Sequence, residues 1–445
     1  MAGLPLIGTV SGQTALWDLL ARLVKWWVGT RWYAVAPGVT QRVYTDSIRS
    51  AGMDNLPGRT IGQSLAPEKA LSRVHILELD GIRGIAVVSV LAYHLIAYSM
   101  QLRAQLGQVW TTFPKLIELL TWPGFLGVDV FFVLSGFLIT GILLDSKNDE
   151  HFLRNFYVRR ALRILPLYMV VLTVIGVAYS NSGRFVLLSV FFLSNLTVVL
   201  GIPAFGPMWS LAIEEHFYLI WPWVVKGVSR RNLVAVAWWI CAIEPVVRLA
   251  GFPLWQGDSY FYSWTRFDGL AWGALIACFV RSPSATGTLA SKLSWACLAA
   301  AAIVLLAGIP FGILSRQNPV GAAFQYAPAQ FVSMSMILAA VGVPGHMVTS
   351  LLRSRVLRLF GDLSYCLYLI HMNLMDAYDA LAARYFPASE MTLGPFGALL
   401  VRSMAVLISA VGLALLSRRF IELPALRLKR LITDSPRPSR SRHPA

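Results

Sequence analysis

Gly127-Val128-Asp129-Val130-Phe131-Phe132-Val133-Leu134-Ser135-Gly136-Phe137-Leu138 has one ionisable side chain, Asp129, in an otherwise apolar run. It reads as part of a membrane-crossing helix, because about 20 predominantly apolar residues span the hydrocarbon of a bilayer. Gly127 and Gly136 permit close approach of a neighbouring helix. Working outward, comparable apolar segments recur near 82–100, 122–144, 164–180, 185–202, 209–225, 232–250, 266–281, 293–313, 327–343, 359–380 and 396–417. The 445-residue chain is 56% hydrophobic and 13% charged, against about 25% charged in soluble domains. These values exclude a disordered or collagen-like chain and argue against a soluble enzyme. The expected fold is an all-α polytopic membrane protein.

Charge sets the expected topology. The formal net charge of +16 comes from 38 Lys and Arg against 22 Asp and Glu. The basic residues gather in short loops and in the C-terminal tail, so orientation by cytoplasmic positive charge explains them better than nucleic acid, and no nucleic-acid partner is expected. Lys147 to Arg163, Lys226 to Arg231, Arg281 with Lys292, Arg353 to Arg358 and the tail from Arg418 to Arg442 alternate correctly only if 185–202 fails to cross. The expectation is therefore about ten transmembrane helices, one extra re-entrant or interfacial apolar segment, and both termini in the cytoplasm. Residues 1–75 read as an N-terminal extension, residues 76–430 as the membrane domain, and residues 431–445 as a basic cytoplasmic tail. Within the extension, Leu16, Leu19, Leu20, Leu23 and Trp27 recur at helical spacing between charges, which suits either a helix on the membrane surface or a disordered segment. The same charges argue against a cleavable signal. The four cysteines lie in or beside apolar stretches without metal-ligand spacing, so neither a disulfide framework nor a metal site is expected.

Ionisable side chains inside spans are costly unless satisfied, which makes each a candidate for function. Arg83 and His94 are eleven residues apart, so they return to one helical face about 16 Å apart along the axis and are expected to face one cavity. The competing reading is a snorkelling anchor and a packing hydrogen bond. Asp129 suits orienting an imidazole or closing an ion pair. Ser135 lacks a nearby base or acid in sequence to activate it as a nucleophile. Arg159, Arg160 and Arg163 form a basic cluster in which the last two share a face. A guanidinium pair suits phosphate, although topology alone also explains such a cluster. Met208-Trp209-Ser210-Leu211-Ala212-Ile213-Glu214-Glu215-His216-Phe217-Tyr218-Leu219 places two carboxylates and a histidine at the start of a span, with aromatic residues that would line a sugar site or form an interfacial belt. Arg266 and Asp268 are expected to pair with each other, and Glu244 with Arg248. Tyr368 and His371 share a helical face.

Taken in order, these strings resemble acyltransferase family 3, the integral-membrane O-acyltransferases that modify bacterial surface polysaccharides and some secreted small molecules. The resemblance covers about residues 77–430: Leu79-Asp80-Gly81-Ile82-Arg83-Gly84 followed by His94, the 127–140 string, Arg160-x-x-Arg163, Trp209 to Tyr218, Arg266-x-Asp268, Ser364 to His371, and Phe420-Ile421-Glu422-Leu423-Pro424. It implies transfer of an acyl group, usually acetyl, from cytoplasmic acyl-CoA to a hydroxyl. Under it, His94 is the general base or a transient acyl carrier, while Arg83 neutralises phosphate or polarises the thioester carbonyl. Arg159, Arg160 and Arg163 bind CoA phosphates, and Glu215 orients His94 or binds the acceptor. Asp129 and His371 support the catalytic group, and Trp209, Ser210, Glu214, Arg266, Asp268 and Tyr368 are assigned to the substrate's surroundings. No metal and no permanently bound cofactor is expected, with acyl-CoA as donor substrate. The expected partners are a cell-envelope glycan or precursor, membrane lipid, and a second copy of the chain if it forms a homo-oligomer. The expected location is the bacterial cytoplasmic (inner) membrane. Some members carry a C-terminal SGNH-hydrolase domain, and this chain is expected to act through its membrane core alone. The rival readings are the same chemistry on a macrolide-like small molecule, and a secondary transporter or flippase of glycan intermediates.

Overall fold

The computed structural model describes residues 76–433 apart from 106, 256–257, 343–346 and 386–388. The surface helix expected near Leu16 to Trp27 and the tail beyond 433 lie outside the described residues. The architecture is all-α. Helix α1 (Leu77–Gln105) continues through a π-helical turn over Tyr93–Tyr98. Helix α2 (Thr112–Thr121) leads through a tight turn at Trp122–Leu126 into α3 (Gly127–Asp145). Then follow α4 (Phe152–Ala178), α5 (Gly183–Val190), α6 (Met208–Gly227), α7 (Arg230–Trp255) and α8 (Phe267–Val280). Helices α9 (Gly287–Gly308), α10 (Pro319–Phe324), α11 (Ala327–Gly342), α12 (Met347–Leu352) and α13 (Arg355–Tyr385) precede α14 (Ser389–Ser417) and α15 (Leu423–Thr433).

Among the described residues, seven helical stretches are long and apolar enough to cross a membrane: 77–105, 112–145, 152–178, 230–255, 287–311, 319–342 and 393–428. Three further segments of the expected ten have different reasons to be helical inside the bundle. Helix α6 carries Glu214, Glu215 and His216, α8 has only 14 residues, and α13 is amphipathic. The 185–202 segment is no continuous helix. It breaks into the eight residues of α5, a 3-10 turn at Ser194–Leu196 and a chain of turns, with Phe192 in the left-handed region at φ 56. Tyr168 of α4 holds this piece, donating to the Ser189 carbonyl at 2.8 Å and stacking on Phe192 at 5.0 Å.

Small residues set the helix spacing. A Cβ on Gly136 would come 1.9 Å from the Leu270 carbonyl of α8, and one on Gly127 would come 2.5 Å from the Ala86 carbonyl of α1. Both expected close approaches therefore exist. They let α3 lie backbone to backbone against its neighbours, with packing in place of a hydrophobic drive that lipid does not supply. Apolar layers then form between α1, α4, α13 and α14 around Leu91, Tyr168 and Leu367, and between α3, α6, α7 and α8 around Phe132, Ile213 and Leu270.

Two buried arginines lock α3, α7 and α8. Arg266 pairs with Asp129 at 3.1 Å, and Arg248 with Asp268 at 2.8 Å, all four side chains being almost fully buried. This corrects the expected Arg266–Asp268 pair: residues two apart on a helix point away from each other, so each finds a partner on another helix. Glu244 accepts from the Phe267 and Asp268 amides at 3.1 and 2.8 Å, capping the start of α8, and stands 3.8 Å from Arg248 as expected.

Candidate active site

A cavity of about 460 Å³ opens between α1, α3, α4, α6 and α13. Its wall includes Arg83, Arg160, Arg163 and Arg281, with Asp80, Asp145 and Glu214. Arg281 is held by Asp145 at 2.6 Å and Arg83 by Asp80 at 3.1 Å. Arg160 and Arg163 face this cavity together, one turn apart, as their spacing on α4 requires. They are not equivalent. Arg160 lies 3.5 Å from both Glu214 and Glu215 and sits over the Tyr218 ring at 3.8 Å. Arg163 is exposed and has no ion pair among the described residues. Arg159 lines neither this cavity nor its neighbour.

The adjacent carboxylates of α6 are split by Arg160. Glu214 faces the large cavity, while Glu215 and His216 face a second space of about 270 Å³ walled by Tyr157, Phe191 and Phe192. The Tyr218 hydroxyl donates to Glu214 at 2.8 Å and is hydrogen-bonded to Ser135, which also lines the large cavity. Ser135 thus has an acid within one phenol of it, a connection across 83 positions that sequence reasoning missed. The i, i+4 spacing of Glu214 and Tyr218 was the available signal.

His94 stands in the π-helical turn of α1, a departure from α-helix that recurs at functional sites. Its Nδ1 is 3.0 Å from the Val90 carbonyl and 3.3 Å from Nε2 of His371. The Nδ1 of His371 is 2.8 Å from the Tyr368 carbonyl and 3.1 Å from that of Leu367. Carbonyls only accept, so the proton of each neutral ring sits on Nδ1. His371 Nε2 is then an acceptor for His94 Nδ1–H, and His94 Nε2 keeps its lone pair. The two imidazoles form a directed pair with one basic nitrogen at its end.

The expectation that Arg83 and His94 face one cavity is corrected. Arg83 lines the large cavity and His94 does not. A layer of side chains separates them: Tyr368 packs edge-on against Phe131 at 6.0 Å and bonds to Ser210 at 2.5 Å, and all three line the cavity. His371 lies one turn beyond, its ring 6.0 Å from that of Tyr368. Glu215 contacts Arg160 and not His94. Asp129, Arg266 and Asp268 belong to the buried ion pairs. Trp209 packs outside the cavity against a tilted Tyr260 ring at 4.5 Å and edge-on to Phe261 at 5.1 Å. Burial raises the Tyr260 phenol well above its ordinary pKa, so it meets Arg266 and Trp209 as a neutral ring. Among the described residues, no three His, Cys, Asp or Glu side chains group to hold a metal ion.

Comparison with known proteins bears on this arrangement. The peptidoglycan O-acetyltransferase OatA of Listeria monocytogenes is 29% identical over 393 residues, covering 79% of this chain and 56% of its own length. The putative peptidoglycan O-acetyltransferase YrhL of Bacillus subtilis is 31% identical over 331 residues, covering 67% of this chain and 48% of its own. A putative O-acetyltransferase of Staphylococcus aureus is 30% identical over 229 residues, with shares of 46% and 34%. The chain thus spans about half the length, or less, of these curated relatives. No solved structure matches it. The family model for the acyltransferase domain matches residues 76–417, and the chain therefore belongs to acyltransferase family 3.

Proposed function

We propose that this protein moves an acetyl group from cytoplasmic acetyl-CoA to a hydroxyl of a cell-envelope glycan or its precursor. The observation that carries this reading is an arginine-mouthed cavity whose far end is separated from the His94–His371 pair only by Tyr368 and its neighbours. A CoA phosphate would meet Arg163 first, since that side chain is exposed and forms no ion pair among the described residues, with Arg83 and Arg160 adding charge around it. The arm of the donor would run along α3 and α6 past the hydroxyls of Ser135 and Ser210. Its thioester would stop near Tyr368.

The chemistry then follows from the imidazole pair. His94 Nε2 takes the proton of the acceptor hydroxyl, and its Nδ1–H, shared between the Val90 carbonyl and His371 Nε2, holds the resulting imidazolium in place. The acceptor oxygen attacks the thioester carbonyl, and the tetrahedral adduct collapses with loss of the CoA thiolate. The thiolate recovers the proton from His94, so the step closes on an O-acyl ester and free CoA. The Ser210–Tyr368 hydroxyls lie where the carbonyl oxygen would gather charge. For the reaction to occur, the Tyr368 ring must turn enough to join cavity and imidazole.

One relative is named a peptidoglycan O-acetyltransferase and another a putative peptidoglycan O-acetyltransferase, which makes peptidoglycan the first acceptor to try. The basic cavity mouth favours a cytoplasmic position for it, with both termini on that side, in the bacterial inner membrane. The test is release of free CoA thiol from acetyl-CoA by the detergent-purified protein supplied with peptidoglycan fragments. Turnover in wild type, loss of turnover with retained acetyl-CoA binding in His94→Ala, and weakened binding in Arg163→Ala are expected. A folded wild type that neither binds nor consumes acyl-CoA overturns the reading, and activity surviving in His94→Ala overturns the base.

A further inference from the structure

We infer that the layer made by Phe131, Tyr368 and Ser210 is a chain-length selector that confines the donor to short acyl groups; this rests on the cavity being the acyl-CoA site. Helix α1 contributes Leu79, Asp80 and Arg83 to the cavity and nothing beyond, although it runs three more turns to His94. The cavity is therefore stoppered before the level of the imidazoles. Toward that level the cavity is walled by Val128 and Phe131 of α3, Tyr368 and Leu369 of α13 and Ser210 of α6, and Phe131, Tyr368 and Ser210 are the three joined by side-chain contacts that form the stopper.

The stopper is held at both ends of the tyrosine. Its ring packs against Phe131 at 6.0 Å with the planes at 66°, and its hydroxyl bonds to Ser210 at 2.5 Å. Acetyl transfer needs the ring to shift only enough to join carbonyl and imidazole, whereas a longer chain must displace it further and give up both contacts. Behind the ring stands His371, fully buried, with its ring centroid 6.0 Å from Tyr368 and 5.0 Å from His94. A donor anchored by its phosphates at the arginine mouth delivers its acyl group against this layer. An acetyl methyl meets the Phe131 face. Each further methylene must push a ring that is packed on one side and hydrogen-bonded on the other, in an interior that tolerates little added volume. A single methylene too many in such a pocket changes kcat/KM by about 10–200-fold.

Phe131 is the residue to change. It is only partly buried because it lines the cavity, so shortening it lengthens an existing space. The experiment measures thiol release from acetyl-, propionyl-, butyryl- and hexanoyl-CoA by wild type, Phe131→Ala, Phe131→Leu and Ser210→Ala, each checked for a monodisperse elution profile. Wild type is expected to lose at least about tenfold in kcat/KM per added methylene up to butyryl. Phe131→Ala is expected to flatten that series and gain about tenfold or more for butyryl relative to acetyl. Phe131→Leu, which keeps bulk at the stopper, is expected to stay steep, and Ser210→Ala, which frees the phenol, to fall between. A wild type that uses hexanoyl-CoA as well as acetyl-CoA overturns the selector while leaving the functional reading standing. So does a Phe131→Ala that loses the same factor at every chain length. A wild type that turns over no acyl-CoA of any length sinks the functional reading and the selector together.

Discussion

Arg160 and Arg163 are one helical turn apart on α4 and do different electrostatic work. Arg160 is clasped by Glu214, Glu215 and the Tyr218 ring, while Arg163 forms no ion pair among the described residues. Arg160→Ala leaves two partly buried carboxylates without their cation, so it is expected to cost about 1.5–3 kcal/mol of stability, read as a lower unfolding temperature in detergent. Arg163→Ala removes charge-assisted bonds to phosphate worth about 1.5–3 kcal/mol, so it should raise KM for acetyl-CoA roughly tenfold or more at an unchanged unfolding temperature. Equal behaviour of the two variants would refute the distinction. The sequence shows the cluster and its shared face, but the carboxylates that separate the two roles arrive from α6, 54 positions later. The histidines make a parallel case. His371 acts through His94, so His371→Leu should lower kcat by about 10²–10³-fold with KM for acetyl-CoA unmoved. His371→Gln, whose amide oxygen can accept from His94 Nδ1–H, should recover part of the loss. If Gln and Leu prove equally inactive, orientation of His94 is not what His371 supplies.

Among the elements, α3 shows how a span can be legible while its partners are not. Its apolar length and its glycines are plain in the sequence, and both close approaches follow from them. In the sequence, Asp129 suits an imidazole or an ion pair alike, because its cation stands 137 residues away at the head of α8. Arg266 carries further consequences: it also lies over Tyr326 at 3.8 Å, and its Nε and Nη1 have no hydrogen-bond partner among the described residues. The α3–α8 contact therefore holds a guanidinium satisfied on one side by a single carboxylate. Asp129→Leu should destabilise the bundle by about 3–5 kcal/mol, because it strands that charge, whereas Asp129→Leu with Arg266→Met should recover most of the loss. Thermal unfolding of the purified single and double variants gives the coupling directly. Additive losses would mean that the two side chains act independently, against the 3.1 Å contact.

For the whole molecule, the topology turns on 185–202, which composition alone cannot separate from a crossing segment: it is as apolar as true spans, and only where its helix breaks decides the matter. Helix α5 has eight residues, or about 12 Å of helix, against roughly 30 Å of hydrocarbon. An independent constraint comes from the loops on either side of α4 and α6. Lys147 Nζ donates to the Val228 carbonyl at 2.6 Å, and Lys226 Nζ to the Lys147 carbonyl at 2.8 Å. The loop before α4 and the loop after α6 thus touch, so they lie on one face of the membrane and an even number of crossings separates them. Helices α4 and α6 supply two; a third through 185–202 would put Lys147 and Val228 on opposite faces. Single cysteines at Asp149, Arg184 and Pro203, all exposed positions, test this by labelling with an impermeant maleimide in intact cells and in inverted vesicles. Cys297 is the one native thiol not fully buried, so Cys297→Ser gives the quiet background. Arg184→Cys and Pro203→Cys should label from the same side, and Asp149→Cys from the other. Labelling of Arg184→Cys and Pro203→Cys from opposite sides would require the lysine contacts to be broken in the membrane, and would turn α6 to α14 over with respect to α1 to α4, parting the arginine mouth from Glu214.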